Sequence, residues 1–338
     1  MLDHGYRPPA NVWIGRPAPA EPLRFWPVTL LPVPQCGQDY NLDDLLGAKQ
    51  RSGLSVSVCL PACNEEATVG QIVATVRRTL VEAVPIVDEV VVMDDGSIDA
   101  TAEVAAWEGA RVISVEDVLA EAGPGSGKGN AMWKSMYACS GDIIGWVDAD
   151  IRNFAPHFIT GLLGPLLTEP NIDFVKGYYR RPLHGEPSGG GRVTELVARP
   201  LISILFPELS GFIQPLSGEY AGRRSILEAV PFVEGFGVEF GLLVDIVERC
   251  GLDATAQVDL GVREHRNRPI EELGPQATEI LVTALRRSGL TDMKSATLAR
   301  FTKAFDAETV GVEVRERPPM TALTAYREKF GLDILAER

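Results

Sequence analysis

Two aspartates follow an apolar stretch of the chain, in a pattern that suits either a polar turn or a metal site. The segment GWVDADIRNF contains Asp148 and Asp150, which come directly after the apolar run Ile143 to Val147. An isolated pair of this kind more often caps backbone amides in a turn. Two carboxylates at positions i and i+2 also suit one hard divalent cation, Mg²⁺ or Mn²⁺, that holds a diphosphate. The neighbouring motifs must decide between these interpretations.

Alternating strand and helix patterns would position these aspartates. Buried strands are predicted at Ser55 to Leu60 and within VDEVVVMDDGS, RVISV and DIIGWVDAD, with helices between them. We expect Thr68 or Asn64 to cap the first of these helices. Alternation of this kind predicts a parallel, doubly wound sheet, whose ligands bind at the carboxyl ends of the strands. The polar loops PACNEE, DDGS and DAD all lie at such ends.

Composition and charge argue against several classes of protein. The chain has 338 residues, 45% of them hydrophobic, and its apolar runs are too short for a membrane span. The N-terminal sequence has no secretory-signal pattern, and five cysteines without a C-x-x-C pair predict reduced thiols in the cytoplasm. The net charge of −14 argues against nonspecific binding to nucleic acid or anionic membranes. Arginines between Lys176 and Arg268 nevertheless suit a small anion.

The strand-end motifs and the second half of the chain resemble one enzyme family. LPACNEE, MDDGSIDAT and WVDAD, in this order, resemble glycosyltransferases of GT-A fold, which use a nucleoside-diphosphate sugar and a divalent cation. VKGYYRRPL, GGGRVTELVARPL, QPLSGEYAGRR, GFGVEFGLLVD, AQVDLGVREHRNRP and ERPPM resemble actinobacterial mannosyl-3-phosphoglycerate and glucosyl-3-phosphoglycerate synthases. The resemblance, roughly from Leu54 to Leu290, implies retaining transfer of a hexose to the 2-hydroxyl of D-3-phosphoglycerate, in the biosynthesis of compatible solutes. It also implies Mg²⁺, Mn²⁺ or Co²⁺ and a cytoplasmic homodimer.

The expected fold class is therefore α/β, with a GT-A type, Rossmann-like nucleotide-sugar-binding sheet and an acceptor-binding C-terminal half. Residues 1–50 are predicted to form a Pro-rich arm with one short helix, Leu42 to Lys49. Residues 51–152 would form the nucleotide-sugar-binding half and residues 153–290 the acceptor-binding half of the same domain. A helical tail is expected over residues 291–338.

The resemblance assigns residues to the metal, the donor and the acceptor. Asp150 and His265 are expected to bind the metal, while Asp148 contacts the ribose or supports the metal from its second shell. The expected donor-binding residues are Pro61, Ala62, Cys63, Glu65, Asp95, Lys128, Asp148, Ala149 and Asp150. The expected acceptor-binding residues are Gly191, Arg192, Thr194, Arg263 and Asn267.

Two Gly-rich segments suit phosphate groups. GGGRVTEL sets three glycines before a helix start, where backbone amides, the helix dipole and Arg192 form a phosphate cradle. GPGSGKGNA is not a P-loop, because its spacing is one residue short and Gly129 replaces the Ser or Thr that would hold Mg²⁺. The resemblance instead directs Lys128 to the donor phosphates.

No carboxylate is an obvious nucleophile for a double displacement. We therefore favour front-face attack, in which the leaving phosphate accepts the acceptor's proton. Glu239 is expected to bind sugar hydroxyls, and the backbone around Leu216 and Ser217 to orient the acceptor. With Asp150, these are the predicted catalytic residues.

Two departures from the glucosyl relatives favour GDP-mannose as donor, with GDP-glucose as a second donor. Asp95 replaces a serine typical of enzymes that use UDP-glucose, and a carboxylate suits the paired N–H groups of guanine. Phe236 replaces a tyrosine, which removes one hydroxyl from the sugar site. The alternatives are UDP-glucose as donor and Asp95 as a simple cap of its turn.

Three other classes compete with this interpretation. A sugar-phosphate nucleotidyltransferase would need a GGxGTR loop, which LPACNEE does not match. A non-catalytic nucleotide-sugar-binding module would not need the metal pair, His265 and Arg192 together. A polyprenyl-phosphate glycosyltransferase would need membrane helices or a basic amphipathic surface, and the sequence offers neither.

Overall fold

The computed structural model describes residues 40–183, 186–265, 269–301 and 306–332, together with the short strand at 35–36. The strands are β1 (Gln35–Cys36), β2 (Val56–Ala62), β3 (Glu89–Asp94), β4 (Arg111–Ser114), β5 (Ile143–Trp146), β6 (Phe174–Arg180), β7 (Pro182–Leu183), β8 (Glu186–Gly189), β9 (Tyr220–Arg223), β10 (Phe232–Val233), β11 (Thr255–Val262), β12 (Ser295–Phe301), β13 (Ala307–Glu313) and β14 (Glu316–Arg317).

The helices are α1 (Leu42–Ser52), α2 (Val69–Val76), α3 (Thr101–Trp107), α4 (Gly127–Ala138), α5 (His157–Thr168), α6 (Arg199–Leu205), α7 (Arg224–Leu227), α8 (Val238–Cys250), α9 (Ile270–Arg287) and α10 (Thr324–Phe330). A π-helical segment, Arg77–Ala83, continues α2, and another, Thr194–Ala198, precedes α6. No helix in the described ranges combines the length and the apolar character that a membrane crossing needs.

One eight-stranded sheet organises the chain, in the order β1-β11-β6-β9-β5-β2-β3-β4. All neighbours are parallel except β9, which runs antiparallel to both β5 and β6. The predicted α/β fold class is therefore confirmed, with one antiparallel strand that the sequence analysis did not predict. Strand β5 is central, β2 lies beside it and β3 lies beside β2. Because these three strands are parallel, the loops that follow them meet at one edge of the sheet.

Apolar side chains cover both faces of the sheet. In β5, Ile143 packs into the layer formed by α1, α2, α3 and α5, whereas Ile144 and Trp146 pack into the layer formed by α4, α6, α8, α9 and α10. Successive residues of a strand point to opposite faces, so a strand covered on both sides is apolar throughout. This accounts for the unbroken apolar run before Asp148.

Several predicted elements differ in extent or role. The first strand is Val56–Ala62 rather than Ser55 to Leu60, and α1 continues past Lys49 to Ser52. Thr68 occupies the N-cap position of α2, as predicted, but its hydroxyl donates to the Ala149 carbonyl (2.6 Å) and makes no capping bond. Asn64 does not cap the helix, and its Oδ1 accepts from the Ile98 amide (2.9 Å). Both side chains tie strand-end loops together.

The C-terminal region differs from the predicted helical tail. It contains α10 but also the antiparallel hairpin of β12 and β13.

Helix α5 was not predicted either. Its sequence, HFITGLLGPLLT, is apolar on nearly all sides and contains Pro165, so it lacks the amphipathic pattern that marks a surface helix.

Close packing between α4 and β10 requires a glycine at position 129. A Cβ atom there would lie 1.9 Å from the carbonyl oxygen of Val233. We predict that Gly129→Ala destabilises the protein by ~1–3 kcal/mol, the usual cost of overpacking. Thermal unfolding would measure this. Gly311→Ala is the control, because nothing lies within 4 Å of its added Cβ. Equal melting temperatures for the two variants would contradict the prediction.

Candidate active site

A cleft with a volume of about 450 Å³ lies at the carboxyl ends of the central strands. Its walls come from both halves of the chain. They include these residues of the sequence prediction: Pro61, Ala62, Cys63, Glu65, Asp95, Lys128, Asp148, Ala149, Asp150, Gly191, Arg192, Thr194, Leu216, Glu239, Arg263 and His265. The structure thus brings nearly all of the predicted site residues to one cleft.

Arg263 lies between the two aspartates that follow β5. Its Nη2 atom is 2.6 Å from Asp148 Oδ2 and 2.7 Å from Asp150 Oδ1, and its side chain is only 3% exposed. Arg263 follows β11, which is separated from β5 in the sheet by the two strands β6 and β9. The fold therefore joins the metal-binding prediction and one acceptor-binding prediction in a single ion-paired cluster.

Lys128 pairs with a carboxylate on each side of the cleft. Its Nζ atom contacts Asp148 Oδ1 and lies 2.7 Å from Glu239 Oε1. Lys128 belongs to the first turn of α4, and Glu239 to the first turn of α8. One ammonium group thereby links the predicted diphosphate site to the predicted sugar site.

A buried layer supports these groups from beneath. The Glu219 carboxylate is fully buried and lies 3.0 Å from Arg263 Nε, in an ion pair whose geometry does not form a hydrogen bond. The Lys176 ammonium donates to the Ser217 carbonyl (3.0 Å) and sits 4.4 Å from the centre of the Tyr220 ring. At Gly218, an added Cβ would lie 2.3 Å from Asp148 Oδ2, so only glycine leaves room for that carboxylate.

Burial and charge set the protonation of the two aspartates in opposite directions. Burial disfavours the charged form of Asp148, but Lys128 and Arg263 together hold its pKa well below the usual range. Burial raises the pKa of Asp150; Arg263 opposes the rise and the charge of Asp148 adds to it. Asp150 thus occupies a position at which additional positive charge would stabilise its ionised form.

Burial also lowers the pKa of two basic groups, His265 and Lys176. It lowers the pKa of His265 to about 4, and the positive charges of Arg263 and Arg181 contribute to the decrease. The imidazole is therefore neutral at pH 7 and retains a lone pair for a ligand. Burial lowers the pKa of Lys176 to about 7.

The strand-end loops on the donor side are held by backbone contacts. An oxygen of Asp95 accepts a hydrogen bond from the Gly127 amide (3.1 Å), which ties the DDGS turn to the start of α4. Burial raises the pKa of Asp95; the Gly127 bond opposes this rise and the neighbouring Asp94 adds to it. The contact matches the simpler interpretation of Asp95, as a residue that fixes a turn.

Gly191, Arg192 and Thr194, which were predicted to bind the acceptor, line the cleft together with Arg181. Gly191 has a φ angle of +76°, a left-handed conformation that favours glycine at this bend. Its carbonyl accepts from the Glu195 amide (3.1 Å), so the helical turn begins here. Asn267, the remaining acceptor-binding prediction, lies outside the described residues.

The two residues predicted to orient the acceptor differ in position. Leu216 lines the cleft, whereas Ser217 is fully buried behind it. The Ser217 hydroxyl has no hydrogen-bond partner among the described residues, and its carbonyl is held by Lys176. Any contribution of Ser217 therefore passes through the backbone, as the sequence analysis anticipated.

The donor set in the cleft fits a divalent cation. Two carboxylates at positions 148 and 150 and a neutral imidazole at position 265 are hard and borderline ligands of the kind that Mg²⁺ and Mn²⁺ accept. In the described part of the chain, no three His, Cys, Asp or Glu side chains are already grouped as a ready-made metal site. Arg263 supplies the positive charge beside both carboxylates in this arrangement.

Sequence reasoning gave no role to Lys176, Gly218 or Glu219, and it included Arg181 only among the arginines that suit a small anion. The block VKGYYRRPL contains two of these residues and QPLSGEYAGRR the other two. Both blocks carried the family resemblance, so they were visible as motifs. Their roles depend on which strands are neighbours, and the position of β9 between β5 and β6 was not predicted.

Comparison with known proteins agrees with this geometry. The model of the family described as Glycosyl transferase family 2 matches residues 57–229. Glucosyl-3-phosphoglycerate synthase of Petrotoga mobilis is 44% identical over 303 residues, which cover 86% of this chain and 93% of the relative. The enzyme of the same name from Mycolicibacterium smegmatis is 48% identical over 290 residues, covering 84% and 94%.

Solved structures show the same likeness. Glucosyl-3-phosphoglycerate synthase from Mycobacterium tuberculosis, in complex with Mn²⁺, UDP-glucose and phosphoglyceric acid, has a TM-score of 0.78 and 44% identity, covering 86% of this chain and 99% of that one. The same enzyme with Mg²⁺ and UDP has a TM-score of 0.77 and 46% identity, covering 84% and 96%. This chain is therefore a GT-A glycosyltransferase of family 2 that belongs to the glucosyl-3-phosphoglycerate synthase family.

Proposed function

We propose that this enzyme transfers glucose from UDP-glucose to the 2-hydroxyl of D-3-phosphoglycerate, with retention of the anomeric configuration and with a divalent cation. The observation that carries the proposal is the composition of the cleft at the carboxyl ends of the central strands. It joins Asp148, Asp150 and Lys128, suited to a metal-bound diphosphate, to Gly191 and Arg192, suited to a small phosphorylated acid. Similar proteins named for this reaction support the same assignment.

The choice of UDP-glucose replaces the GDP-mannose preferred from sequence alone. That preference depended on Asp95 as a receptor for guanine, but one Asp95 oxygen already accepts the Gly127 amide. A carboxylate that holds a backbone amide has less capacity for the two N–H groups of guanine. The solved relative that covers most of this chain was crystallised with UDP-glucose, which favours the alternative donor.

The chain's own residues would orient the donor. Asp148, Asp150 and His265 would hold the cation, which as a Lewis acid would offset the charge on the departing diphosphate. Lys128 would place a further positive charge beside the phosphates. Glu239, 2.7 Å from the Lys128 ammonium, would accept hydrogen bonds from sugar hydroxyls. Before the donor binds, these carboxylates are paired with Lys128 and Arg263, and the cation and the diphosphate would replace part of this pairing.

The acceptor would bind opposite the donor. Arg192 and the amides that follow Gly191 would hold its phosphate or carboxylate. Leu216 would direct its 2-hydroxyl toward the anomeric carbon. The new glycosidic bond forms as the bond to the diphosphate oxygen breaks, and the hydroxyl proton passes to that oxygen. Front-face attack needs no carboxylate nucleophile, and we assign none to the sugar's opposite face.

Homodimerisation and a cytoplasmic location belong to this proposal as well. Large apolar side chains remain exposed around α9 and α6, among them Ile270 (63%), Leu196 (73%) and Ile204 (76%). Exposed apolar groups of this size favour an interface. Light scattering after size exclusion would give the mass in solution, and a mass near 36.6 kDa would indicate a monomer.

A donor panel tests the proposed function. The purified enzyme would be incubated with D-3-phosphoglycerate, Mn²⁺ and either UDP-glucose, GDP-glucose or GDP-mannose. The mass of the product would be measured by mass spectrometry and its anomeric configuration by NMR. We expect an α-glucoside and free UDP. An α-mannoside made only from GDP-mannose would restore the first preference. Release of pyrophosphate from a nucleoside triphosphate and a sugar phosphate would support the nucleotidyltransferase instead.

Loss of one carboxylate at the cation site should abolish turnover. We predict that Asp150→Asn lowers kcat by more than about 100-fold, since even supporting groups around a metal typically contribute 10- to 100-fold. Circular dichroism should show an intact fold. Asp117→Asn is the control, because Asp117 is exposed and outside the cleft. Undiminished rates in EDTA would refute the metal assignment.

The acceptor site can be tested at Arg192. We predict that Arg192→Ala raises the KM for 3-phosphoglycerate roughly ten- to a hundred-fold, because a charge-assisted hydrogen bond contributes ~1.5–3 kcal/mol. The KM for the donor should change much less. Arg78→Ala, which removes an arginine with a 66% exposed side chain, is the control. An unchanged acceptor KM would remove Arg192 from the site.

The role of Asp95 can be separated by two substitutions. Asp95→Ala removes the acceptor for the Gly127 amide, and we predict that kcat/KM falls by about the same factor, roughly tenfold, for UDP- and GDP-sugars. Asp95→Asn retains an acceptor oxygen and should retain most activity. A selective loss of GDP-sugar activity in both variants would instead assign Asp95 to guanine recognition.

A further inference from the structure

One buried arginine contacts two loops that carry functional side chains. The Arg317 side chain is 9% exposed, and its guanidinium carbon lies 5.1 Å from the centre of the Trp133 ring. Arg317 belongs to β14, which lies near the C-terminus of the chain and pairs with β10. It lies well beyond residues 57–229, the part of the chain that the family model matches.

The first loop leads into α4 and Lys128. Arg317 Nη1 donates to the Ala122 carbonyl (2.7 Å), and Nη2 donates to the Gly123 carbonyl (3.2 Å). The loop then passes directly over the guanidinium, since a Cβ at Gly125 would lie 2.1 Å from Arg317 Nη2. The path of the backbone toward Lys128 is therefore fixed by the planar face and the two outer nitrogens of one side chain.

The second loop leads into α8 and Glu239. Arg317 Nε lies 2.7 Å from Glu234 Oε1, and Glu234 directly precedes the turn Gly235–Gly237. The same Nε atom donates to Asn130 Oδ1 (3.1 Å) within α4. Arg317 thus contacts the segments before both functional side chains, whose tips meet in the Lys128–Glu239 ion pair (2.7 Å).

We propose that Arg317 is a positioning residue for the donor site, which sets the separation of the Lys128 and Glu239 backbones and thereby the fit of the diphosphate and the sugar. The identity of that ligand rests on the proposed function. Arg317 does not line the cleft, so it acts through these two loops rather than by touching the donor. Its effect should therefore fall on donor binding and leave acceptor binding unchanged.

The planar fork of arginine is the feature that a lysine cannot reproduce. Arginine presents five N–H donors in a rigid plane, whereas lysine presents one compact ammonium group. Arg317→Lys therefore keeps the charge beside Glu234 but cannot reach the Ala122 and Gly123 carbonyls at the same time. This variant is preferable to alanine, which would leave Glu234 buried without a cationic partner and threaten folding.

The test combines ligand binding with hydrogen exchange in the ligand-free enzyme. For Arg317→Lys we expect the Kd for UDP with Mn²⁺ to rise about 5- to 30-fold, because the loop before Lys128 loses the paired guanidinium hydrogen bonds to the Ala122 and Gly123 carbonyls. The Kd for 3-phosphoglycerate should stay within about twofold. Amides of residues 123–128 and 235–239 should exchange faster, while those of 191–195 should not. Arg315→Lys, an exposed neighbour paired with Glu313, is the control.

Equal changes in the donor and acceptor Kd values, or unaltered exchange at both loops, would overturn the proposal. If the wild-type enzyme does not bind UDP, the proposed donor is wrong, but this result does not bear on Arg317 as a positioning residue. In that case hydrogen exchange alone decides. Faster exchange confined to residues 123–128 and 235–239 in Arg317→Lys supports Arg317 as a positioning residue, and unchanged exchange there refutes the proposal.

Discussion

The site depends on keeping several carboxylates ionised in a cleft that is mostly withdrawn from water. Asp148 and Asp150 follow a central strand, with Glu219 fully buried beneath them. Burying an unpaired charge costs several kcal/mol, so each carboxylate needs a cation or a proton. Arg263 supplies one positive charge to all three, and Lys128 supplies another to Asp148. The segment after β11 and the first turn of α4 bring these two cations to the carboxylates.

This charge balance also explains how one cleft can serve two anionic ligands. The cations lie between the carboxylates rather than at the protein surface, so the cleft can accept phosphate groups without a net basic exterior. The chain as a whole has a net charge of −14, which would repel anions at long range. Under the proposed function, recognition would therefore depend on short, directed contacts, in which Arg192, Lys128 and a bound cation would face the ligand.

Much of the first half of the site was predictable from sequence, because its information is local. Strand, loop and motif coincide in LPACNEE, MDDGSIDAT and WVDAD, so parallel alternation alone places Glu65, Asp95 and Asp148 at one edge of the sheet. Glu219 could not be predicted in this way. Its role requires that β9 runs antiparallel beside β5, and no local pattern specifies that neighbour. The donor preference depended on Asp95, which looked free in sequence but is bonded to the Gly127 amide in the structure.

The central claim is that the aspartates after β5, with His265, form a divalent-cation site completed by the diphosphate. Electron paramagnetic resonance of Mn²⁺ titrated into the enzyme, with and without UDP, tests it most directly because it does not depend on turnover. We expect one bound Mn²⁺ per chain, bound more tightly when UDP is present. A variant that carries both Asp148→Asn and Asp150→Asn should lose this binding. Equal Mn²⁺ binding by the wild type and the double variant would contradict it.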